Sequence, residues 1–468
     1  MIDDLLQNHI SQQQLVGTFM EGLYNVHHAW KQPLYDTISK LLAQMASDID
    51  RVTILNSMAL FLLPGLIRHV CRNMGTRGRP IDFLRRVDEA DSPAEEIIIE
   101  AIRARRAGTV QSEQHLGRGA VKGLVLAAEK YGRQTRLAAA NRVVTQLEKV
   151  ISGTLPATDN QQSLTAAQAR TILQPLNPAV RSEVLDALPD ISEATPQGTS
   201  VTFDEVAKGI KLLSKDAAPG ASGWTNHTLK FLMSFGNADE TAGMANRIAA
   251  VFNRIYEGTM PAATRWLWTR SRSLLIPKEG THGYRPLGIG DVWYRLLMRI
   301  PYSRVAKKLG ETLAPEQLAV GISGGCEIGA RVVQIHISQE RQRQDDWRLA
   351  PATINVDVGN CFNELGTALT HRGLVEHAPE LVRLFLWTHT DSSDLVWNSG
   401  EIVGRREIGF RQGCPGSSTN ASLALLPVAA RIKTALREEE QRLRGEMGID
   451  ANTLKDGHLI NFVEMETS

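Results

Sequence analysis

The sequence has little cysteine and no marked excess of charge of either sign. Four cysteines in 468 residues, with no Cys-x-x-Cys pair and no Cys/His cluster at zinc spacing, argue against a disulfide framework and a structural zinc site. A net charge of +1 does not by itself indicate a nucleic-acid-binding protein. The hydrophobic fraction of 43% and the charged fraction of 22% are those of an ordinary folded protein, and the length predicts about three domains.

The sequence also lacks a long uninterrupted hydrophobic run. The most apolar stretch, residues 52–67, contains Asn56, Ser57 and Pro64, and this predicts a core helix rather than a membrane span. The first residues, Met-Ile-Asp-Asp, carry neither the basic region nor the small-residue cleavage site of a signal peptide. We therefore expect an intracellular protein that is not secreted, in a reducing compartment, with no membrane partner.

Positive charge is concentrated in one part of the chain, residues 259–310. This stretch contains ten Lys and Arg residues and only two acidic residues, Glu279 and Asp291. A concentrated basic stretch in a nearly neutral protein is typical of a groove that binds phosphates, and the alternative is a solvated helix face. The ten residues are Arg265, Arg270, Arg272, Lys278, Arg285, Arg295, Arg299, Arg304, Lys307 and Lys308.

The first third of the chain has helical periodicity and no chemical motif. Residues 1–151 are interpreted as a helical scaffold, with RNA binding by the basic positions Arg103 to Arg142 as the alternative. Residues 152–200 are predicted to be a linker, in which Thr165 to Gln168 forms a capping box that opens a short helix. A second capping box, Thr202-Phe-Asp-Glu205, begins the next helix.

A short β-branched run around Asp357 predicts a buried strand that ends at Gly359-Asn360. A carboxylate inside such a strand is expensive to bury without a cation or a hydrogen-bond network. The alternative is an aspartate at a strand end that bonds to the following turn.

Four segments in order resemble the fingers and palm of the reverse transcriptases of non-LTR retrotransposons, especially those of protists. The resemblance extends from about Phe203 to the C-terminus, and it rests on the order of the segments because each is weak alone. The segments are Ala217-Ala-Pro-Gly-Ala-Ser-Gly-Trp224, Arg272-Ser-Leu-Leu-Ile-Pro-Lys278 with Tyr284-Arg-Pro-Leu287, Ala352 to Asn363, and Gly409-Phe-Arg-Gln-Gly-Cys-Pro-Gly416.

The resemblance implies an α/β (α+β) protein with a right-hand polymerase architecture. Residues 1–151 would be the helical N-terminal region and residues 152–200 the linker. Residues 201–347 would form the fingers, and residues 348–468 a palm that is truncated and has no thumb.

The resemblance also implies roles for individual residues. Asp357 and Glu464 would be catalytic residues and would bind Mg²⁺. The substrate, a deoxynucleoside triphosphate (dNTP), would contact Lys278 and Arg285 at its phosphates, Phe362 at its sugar, and Gln412 and Gly413 at the nascent base pair. The template would pass near Gly321, Gly324 and Gly325. The implied partners are an RNA template and a DNA primer, and the implied location is the nucleus.

The third palm motif departs from the family. Glu464-Met465 follow Phe462-Val463, where the family has Asp-Asp, so only one clear family carboxylate of three is left. A glutamate oxygen is displaced by about 1 Å relative to aspartate, which magnesium tolerates poorly, and a thioether is a poor magnesium ligand. We therefore expect an inactive or severely impaired polymerase. Loss of one base from codons for Phe-Val-Asp-Asp-Gly-Asp would produce residues 462–467, which is our hypothesis for the origin of this ending.

Three alternatives stay open at this point. The chain could be a non-catalytic RNA-binding protein that keeps a polymerase-like groove, or an active polymerase completed by another chain. An RNA-directed RNA polymerase is disfavoured by Phe362. The sequence does not determine the oligomeric state.

Overall fold

The computed structural model places helices and strands through most of the chain. The residues that it describes are 2–20, 30–73, 79–106, 164–178, 188–214, 217–278, 283–314, 316–318, 320–342 and 359–447.

Helices dominate the described residues before the first strand. They are α1 (Ile2–Gln7), α2 (His9–Gly17), α3 (Lys31–Met45), α4 (Asp50–Asn73), α5 (Arg79–Glu89), α6 (Pro93–Arg106), α7 (Ala166–Leu173), α8 (Phe203–Lys211), α9 (Asn226–Leu232), α10 (Ala238–Tyr256) and α11 (Arg265–Thr269).

Strands and helices alternate in the rest. The elements are β1 (Ser271–Pro277), β2 (Tyr284–Gly290), α12 (Val292–Leu313), α13 (Gly325–Gln342), α14 (Cys361–Glu364), α15 (Thr367–His377), α16 (Val382–His389), β3 (Ser393–Val396), β4 (Ile402–Arg406) and α17 (Ser417–Met447). Helices with one small mixed sheet confirm the predicted α/β (α+β) class.

Helix α4 is the centre of the N-terminal part. The six consecutive residues Met58 to Leu63 are all fully buried, so the helix is enclosed on every side, and it packs against α3 and α6. Within the described residues, α4 is also the one helix long and apolar enough to cross a membrane, but 78% of its most apolar part is buried inside the structure. The packing is that of a core helix, as the interrupted hydrophobic run predicts.

The N-terminal helices share one hydrophobic core with the elements that follow residue 200. The indole Nε1 of Trp224 donates to the carbonyl of Leu60 at 2.8 Å, and the rings of Phe61 and Trp268 meet edge to face at 5.4 Å. Buried aromatic contacts of this kind contribute about 1 kcal/mol beyond the area that they bury. The division of the chain into four parts stays a prediction, but α4 and the Trp224 turn form one packed unit.

The four strands form a sheet in the order β2-β1-β3-β4. β1 and β2 are an antiparallel hairpin from Ser271↔Gly290 to Pro277↔Tyr284, and β1 and β3 are parallel over two pairs. β3 and β4 are antiparallel with an irregularity between Leu395 and Val396. The sheet therefore joins segments that are more than a hundred residues apart.

Several local predictions are confirmed. Both capping boxes are formed, with Thr165 accepting from the Gln168 amide and Thr202 from the Glu205 amide. The stretch between Leu188 and Ser200 has no helix or strand, and the Arg383 side chain holds it by donating to the carbonyls of Ser192, Thr195 and Pro196.

Candidate functional site

One cleft is lined by Gln412 and by chain neighbours of other residues that the sequence singles out. It lies between the end of α7, the β1–β2 hairpin, the segment after Asn360 and the loop before α17. Its lining residues are Leu173, Asn177, Ser273, Pro286, Leu287, Gly288, Asn363, Leu395, Arg406, Phe410, Arg411 and Gln412.

The segment at Phe362 is attached to the loop at Gly409. The backbone amide of Phe410 donates to the Phe362 carbonyl at 2.5 Å. Gly409 has φ +71°, and a Cβ there would lie 2.4 Å from the same carbonyl oxygen. Only glycine adopts this conformation at this close approach without strain. Phe362 itself is half-buried, against the main core.

Asn360 and Asn363 fix the turn before Phe362. Asn360 has a left-handed backbone (φ 55°), which asparagine tolerates better than most residues. The side-chain amides of Asn360 and Asn363 both donate to the carbonyl of Leu176, at 3.0 and 2.6 Å. The end of α7 therefore anchors the segment that carries Phe362.

Gln412 and Gly413 lie against β2. Gln412 lines the cleft and is half-buried. Gly413 has φ +97°, and a Cβ there would be 3.4 Å from Leu287 Cδ1. The structure thus brings the Phe362 segment, which is distant in sequence, next to the loop of Gln412 and Gly413 beside one cleft.

Lys278 and Arg285 are both exposed at the far end of the β1–β2 hairpin, where the Lys278 amide donates to the Gly283 carbonyl at 2.9 Å. Arg285 pairs with Ile276 in the register, so strand alternation puts Arg285 and Lys278 on the same face. Leu287, which neighbours Gly413, is on that face too, whereas Ser273 and Gly288 are on the other. The two motif segments thus form one antiparallel hairpin, and the phosphate-binding role of its two cations stays a prediction.

The three glycines assigned to the template have different surroundings. A Cβ at Gly321 would lie 2.0 Å from the Ala306 carbonyl oxygen, and one at Gly325 would lie 1.6 Å from that of Leu318. A Cβ at Gly324 would meet nothing within 4 Å. Close packing of the turn on α12 and at the start of α13 explains Gly321 and Gly325, so only Gly324 is open. The template role of all three stays a prediction.

The predicted metal ligands, Asp357 and Glu464, lie outside the described residues. Among the residues that are described, no three His, Cys, Asp or Glu side chains come close enough to hold a metal ion. The magnesium site stays a prediction that rests on the donor set in the sequence, two carboxylates and the thioether of Met465.

Much of the basic stretch has local partners. Arg304 donates to Glu205 and to Thr199 Oγ1, Arg295 donates to the Ala218 carbonyl at 3.1 Å, and Arg272 donates to Asn398 at 2.8 Å. Arg265 forms an ion pair with Asp391. These arginines hold neighbouring segments of the fold together. Fewer of the ten basic residues are therefore available to a bound phosphate than the sequence suggests.

The floor of the cleft holds two buried arginines that the motif analysis does not single out. Arg406 is 3% exposed and donates to Ser393 Oγ at 3.0 Å and to the Gly409 carbonyl at 2.7 Å. Burial, together with the neighbouring charge of Arg411, lowers the pKa of Arg406 to about 10. Arg411 is 6% exposed and lies over the Tyr294 ring at 4.3 Å. The position of Arg411 beside Gln412 is a sequence signal for Arg411, whereas β4 has no regular alternation that would mark Arg406 as buried.

No protein-family model matches the chain. The chain is 34% identical over 129 residues to the Retrotransposable element SLACS 132 kDa protein of Trypanosoma brucei gambiense, a match that covers 27% of the chain and 10% of that protein. It is 23% identical over 281 residues to the Transposon TX1 uncharacterized 149 kDa protein of Xenopus laevis, covering 56% of the chain and 20% of that protein. The chain therefore spans only a small part of these relatives. The two weak homologies relate it to proteins of retrotransposable elements.

Proposed function

We propose that this relative of retrotransposon proteins is a reverse-transcriptase domain protein, an RNA-directed DNA polymerase of non-LTR retrotransposon type, with impaired catalysis. Its substrates would be an RNA template, a DNA primer and deoxynucleoside triphosphates. The order of the sequence motifs and the similarity to two proteins of transposable elements support the proposal.

The observation that carries the proposal is the contact between the Phe362 segment, the Gln412 loop and the hairpin beside one cleft. Phe362 and Gln412 come from segments that are far apart in the chain, yet the Phe362 carbonyl accepts from Phe410, two residues before Gln412. Gly413 in turn approaches Leu287, two residues from Arg285 on the same strand face. A nucleotide that lay along this path would meet its proposed sugar, base-pair and phosphate contacts in succession.

Each residue would have a limited task. Lys278 and Arg285 are exposed and would neutralise phosphate oxygens, where fixed cations stabilise charge that develops in phosphoryl transfer. The Phe362 ring would block a ribose 2′-hydroxyl, and Gln412 and Gly413 would support the nascent base pair. Gly324 is the template glycine with open space around it.

The donor set fits magnesium only in part. Asp357 and Glu464 would hold the metal, which when bound stabilises the charge on the phosphates and activates the primer hydroxyl. Met465 contributes a soft thioether that magnesium does not favour. We therefore propose that weak metal binding limits this polymerase.

Primer extension tests the proposal. The chain would be incubated with an RNA template, a DNA primer, dNTPs and Mg²⁺, beside the double variant Glu464→Asp/Met465→Asp. We expect the double variant to extend the primer at least about tenfold faster, the lower end of what an outer-shell partner contributes to a metal site. Adding Asp357→Ala should abolish that gain. Extension that is indifferent to Asp357→Ala would contradict the proposed role of this residue.

A second function is favoured by the replacement of Asp-Asp by Glu464-Met465: RNA binding without polymerisation. It predicts RNA binding that weakens steeply with salt, because phosphate contacts release counterions. Binding measured by fluorescence anisotropy should be unchanged by Asp357→Ala, with no extension in any variant. Extension that this substitution abolishes would reject it in favour of the polymerase.

Location and assembly follow from the same proposal. A retrotransposon polymerase acts on nuclear DNA, so we propose a nuclear location for the chain. A partner chain could supply further parts of the polymerase, and its copurification with extension activity would be the sign.

A further inference from the structure

Two buried polar side chains beside Gly288 have no hydrogen-bond partner among the described residues. They are Arg411, through both Nη1 and Nη2, and Ser271, through Oγ. Arg411 is 6% exposed and Ser271 is 0% exposed, so water does not satisfy them from the surface. A buried group without a partner costs about 1–3 kcal/mol, and a charged one costs more, so such groups usually mark a bound water or ion.

The two side chains are close together because the neighbouring strand positions are small. A Cβ at Gly288 would lie 3.2 Å from Ser271 Oγ and 3.3 Å from the Cγ and Cδ of Arg411. Gly290, the register partner of Ser271, would place a Cβ 3.6 Å from Arg411 Nη1. The two glycines leave room for the arginine stem, which passes over the same sheet face that Ser273 presents to the cleft.

The charge at this place has no carboxylate partner among the described residues. Arg406 lines the same cleft as Arg411, and the repulsion between the two guanidinium groups contributes to the lowered pKa of Arg406. Neither arginine has an ion pair with a carboxylate of the described residues, unlike Arg265 and Arg304, which pair with Asp391 and Glu205. Two buried positive charges without an anion are costly, and an oxyanion between them would remove that cost.

We propose that the floor of the cleft binds one small oxyanion of the phosphate class, held by the Arg411 guanidinium and the Ser271 hydroxyl beside Arg406. The planar guanidinium fits phosphate through two parallel hydrogen bonds. The partnerless nitrogens are shielded from solvent, so the site suits a free phosphate or the phosphate of a single nucleotide rather than the backbone of a polymer. The inference depends on these contacts and not on polymerase activity.

Thermal unfolding of the full chain tests the proposal, with sodium phosphate titrated against sodium chloride at constant ionic strength. A site that binds only the folded state lowers the unfolding constant by the factor 1 + [L]/Kd, which is about elevenfold at ten times the dissociation constant. We expect this saturable effect in the wild-type chain. A parallel titration with dATP, without added metal, tells which source the site prefers.

Three variants make the test specific. Arg411→Met should abolish the phosphate effect, and without phosphate it should be at least as stable as wild type because it removes an unpaired buried charge. Ser271→Ala should raise the half-saturating concentration about fivefold, the effect of one hydrogen bond. Lys308→Met, which removes an exposed cation, should respond as wild type does.

A saturable stabilisation by phosphate or by dATP that is lost in Arg411→Met supports the site. The two ligands differ only in the source of the oxyanion. An equal response of wild type and Arg411→Met, or no response of the wild type to either ligand, would overturn it.

Discussion

The β1–β2 hairpin and the floor of the cleft both carry positive charge, but in opposite surroundings. Lys278 and Arg285 are exposed at the hairpin end, whereas Arg406 and Arg411 are almost completely buried behind it. An exposed cation costs the fold little and is free to meet a ligand. The free-energy cost of burying a cation must be offset by hydrogen bonds, as at Arg406, or by a bound anion, as we propose for Arg411. Residue type alone therefore does not tell which arginines serve the fold and which serve a ligand.

The largest effect is expected where the two halves of the cleft meet. Gly409→Ala should destabilise the protein by ~3 kcal/mol, from left-handed backbone strain and the collision of the new Cβ with Phe362 and Asn363. Chemical denaturation followed by tryptophan fluorescence measures it. Gly445→Ala in α17, where a Cβ meets nothing within 4 Å, is the matched control and should be neutral or stabilising. Equal stability of the two variants would mean that the loop does not hold the Phe362 segment.

The two buried arginines should differ sharply in what they contribute to the free energy of unfolding. Arg406→Met leaves Ser393 Oγ and the Gly409 carbonyl without their donor and should cost ~2 kcal/mol of unfolding free energy. Arg411→Met, measured under the same conditions in phosphate-free buffer, should cost nothing. If Arg411→Met were the more damaging change, the distinction between a hydrogen-bonded and an unpaired arginine would be wrong.

His389 should make the stability of the protein depend on pH. It is stacked on Phe385 at 4.4 Å and meets Phe410 edge-on at 5.7 Å. Burial, with Arg406 and Arg411 nearby, holds its pKa well below the usual value of 6.5. Since the folded pKa is depressed, the unfolded chain takes up the proton first, and stability is lost as pH falls below about 6.5, by ~1.4 kcal/mol per pH unit.

His389→Phe keeps the ring contacts and should remove most of that slope between pH 6.5 and pH 5. Half-buried His371, whose pKa burial also lowers, should leave a smaller slope of the same sign. An unchanged slope in the variant would show that His389 is protonated in the folded state.

The smallest effect on stability is expected at the hairpin. Lys278→Met and Arg285→Met should change the unfolding free energy by less than about 0.5 kcal/mol, because both side chains are exposed. On the proposed function, the same variants should weaken dNTP binding, measured by calorimetry. A large loss of stability with intact nucleotide binding would reverse the contrast between hairpin and floor.

The fold was predicted best where local chemistry decides it. Asp291, for instance, is the N-cap of α12 and accepts from the Trp293 amide at 3.2 Å. The helical spacing of Trp293, Leu296, Leu297 and Ile300 in the sequence is enough to place them on the buried side. The hairpin also follows from local sequence, because β-branched and apolar residues flank a glycine-containing turn.

Other elements were missed. β3 and β4 were not predicted, although Leu395, Val396 and Trp397 precede an Asn-Ser-Gly turn that is typical of a hairpin. The sequence around Pro427 predicts two helices, one through Leu426 and one from Ala429, and this prediction is wrong. α17 is one helix from Ser417 to Met447, and Pro427 lies inside it. The strand predicted around Asp357 and the motif at Glu464 lie outside the described residues, so they stay predictions.

The sequence by itself determined the local elements, the mixed fold class, the order of the motifs and the departure at Glu464-Met465, because caps, turns and residue chemistry act over a few positions. Only the tertiary structure decided which cations have hydrogen-bond or ion-pair partners within the fold and which do not. Arg304 and Arg411 are the same residue in sequence, yet one is paired with Glu205 and the other lies unpaired over Tyr294. Glu205 and Tyr294 come from chain segments far from Arg304 and Arg411 in the sequence, and no local pattern encodes such contacts.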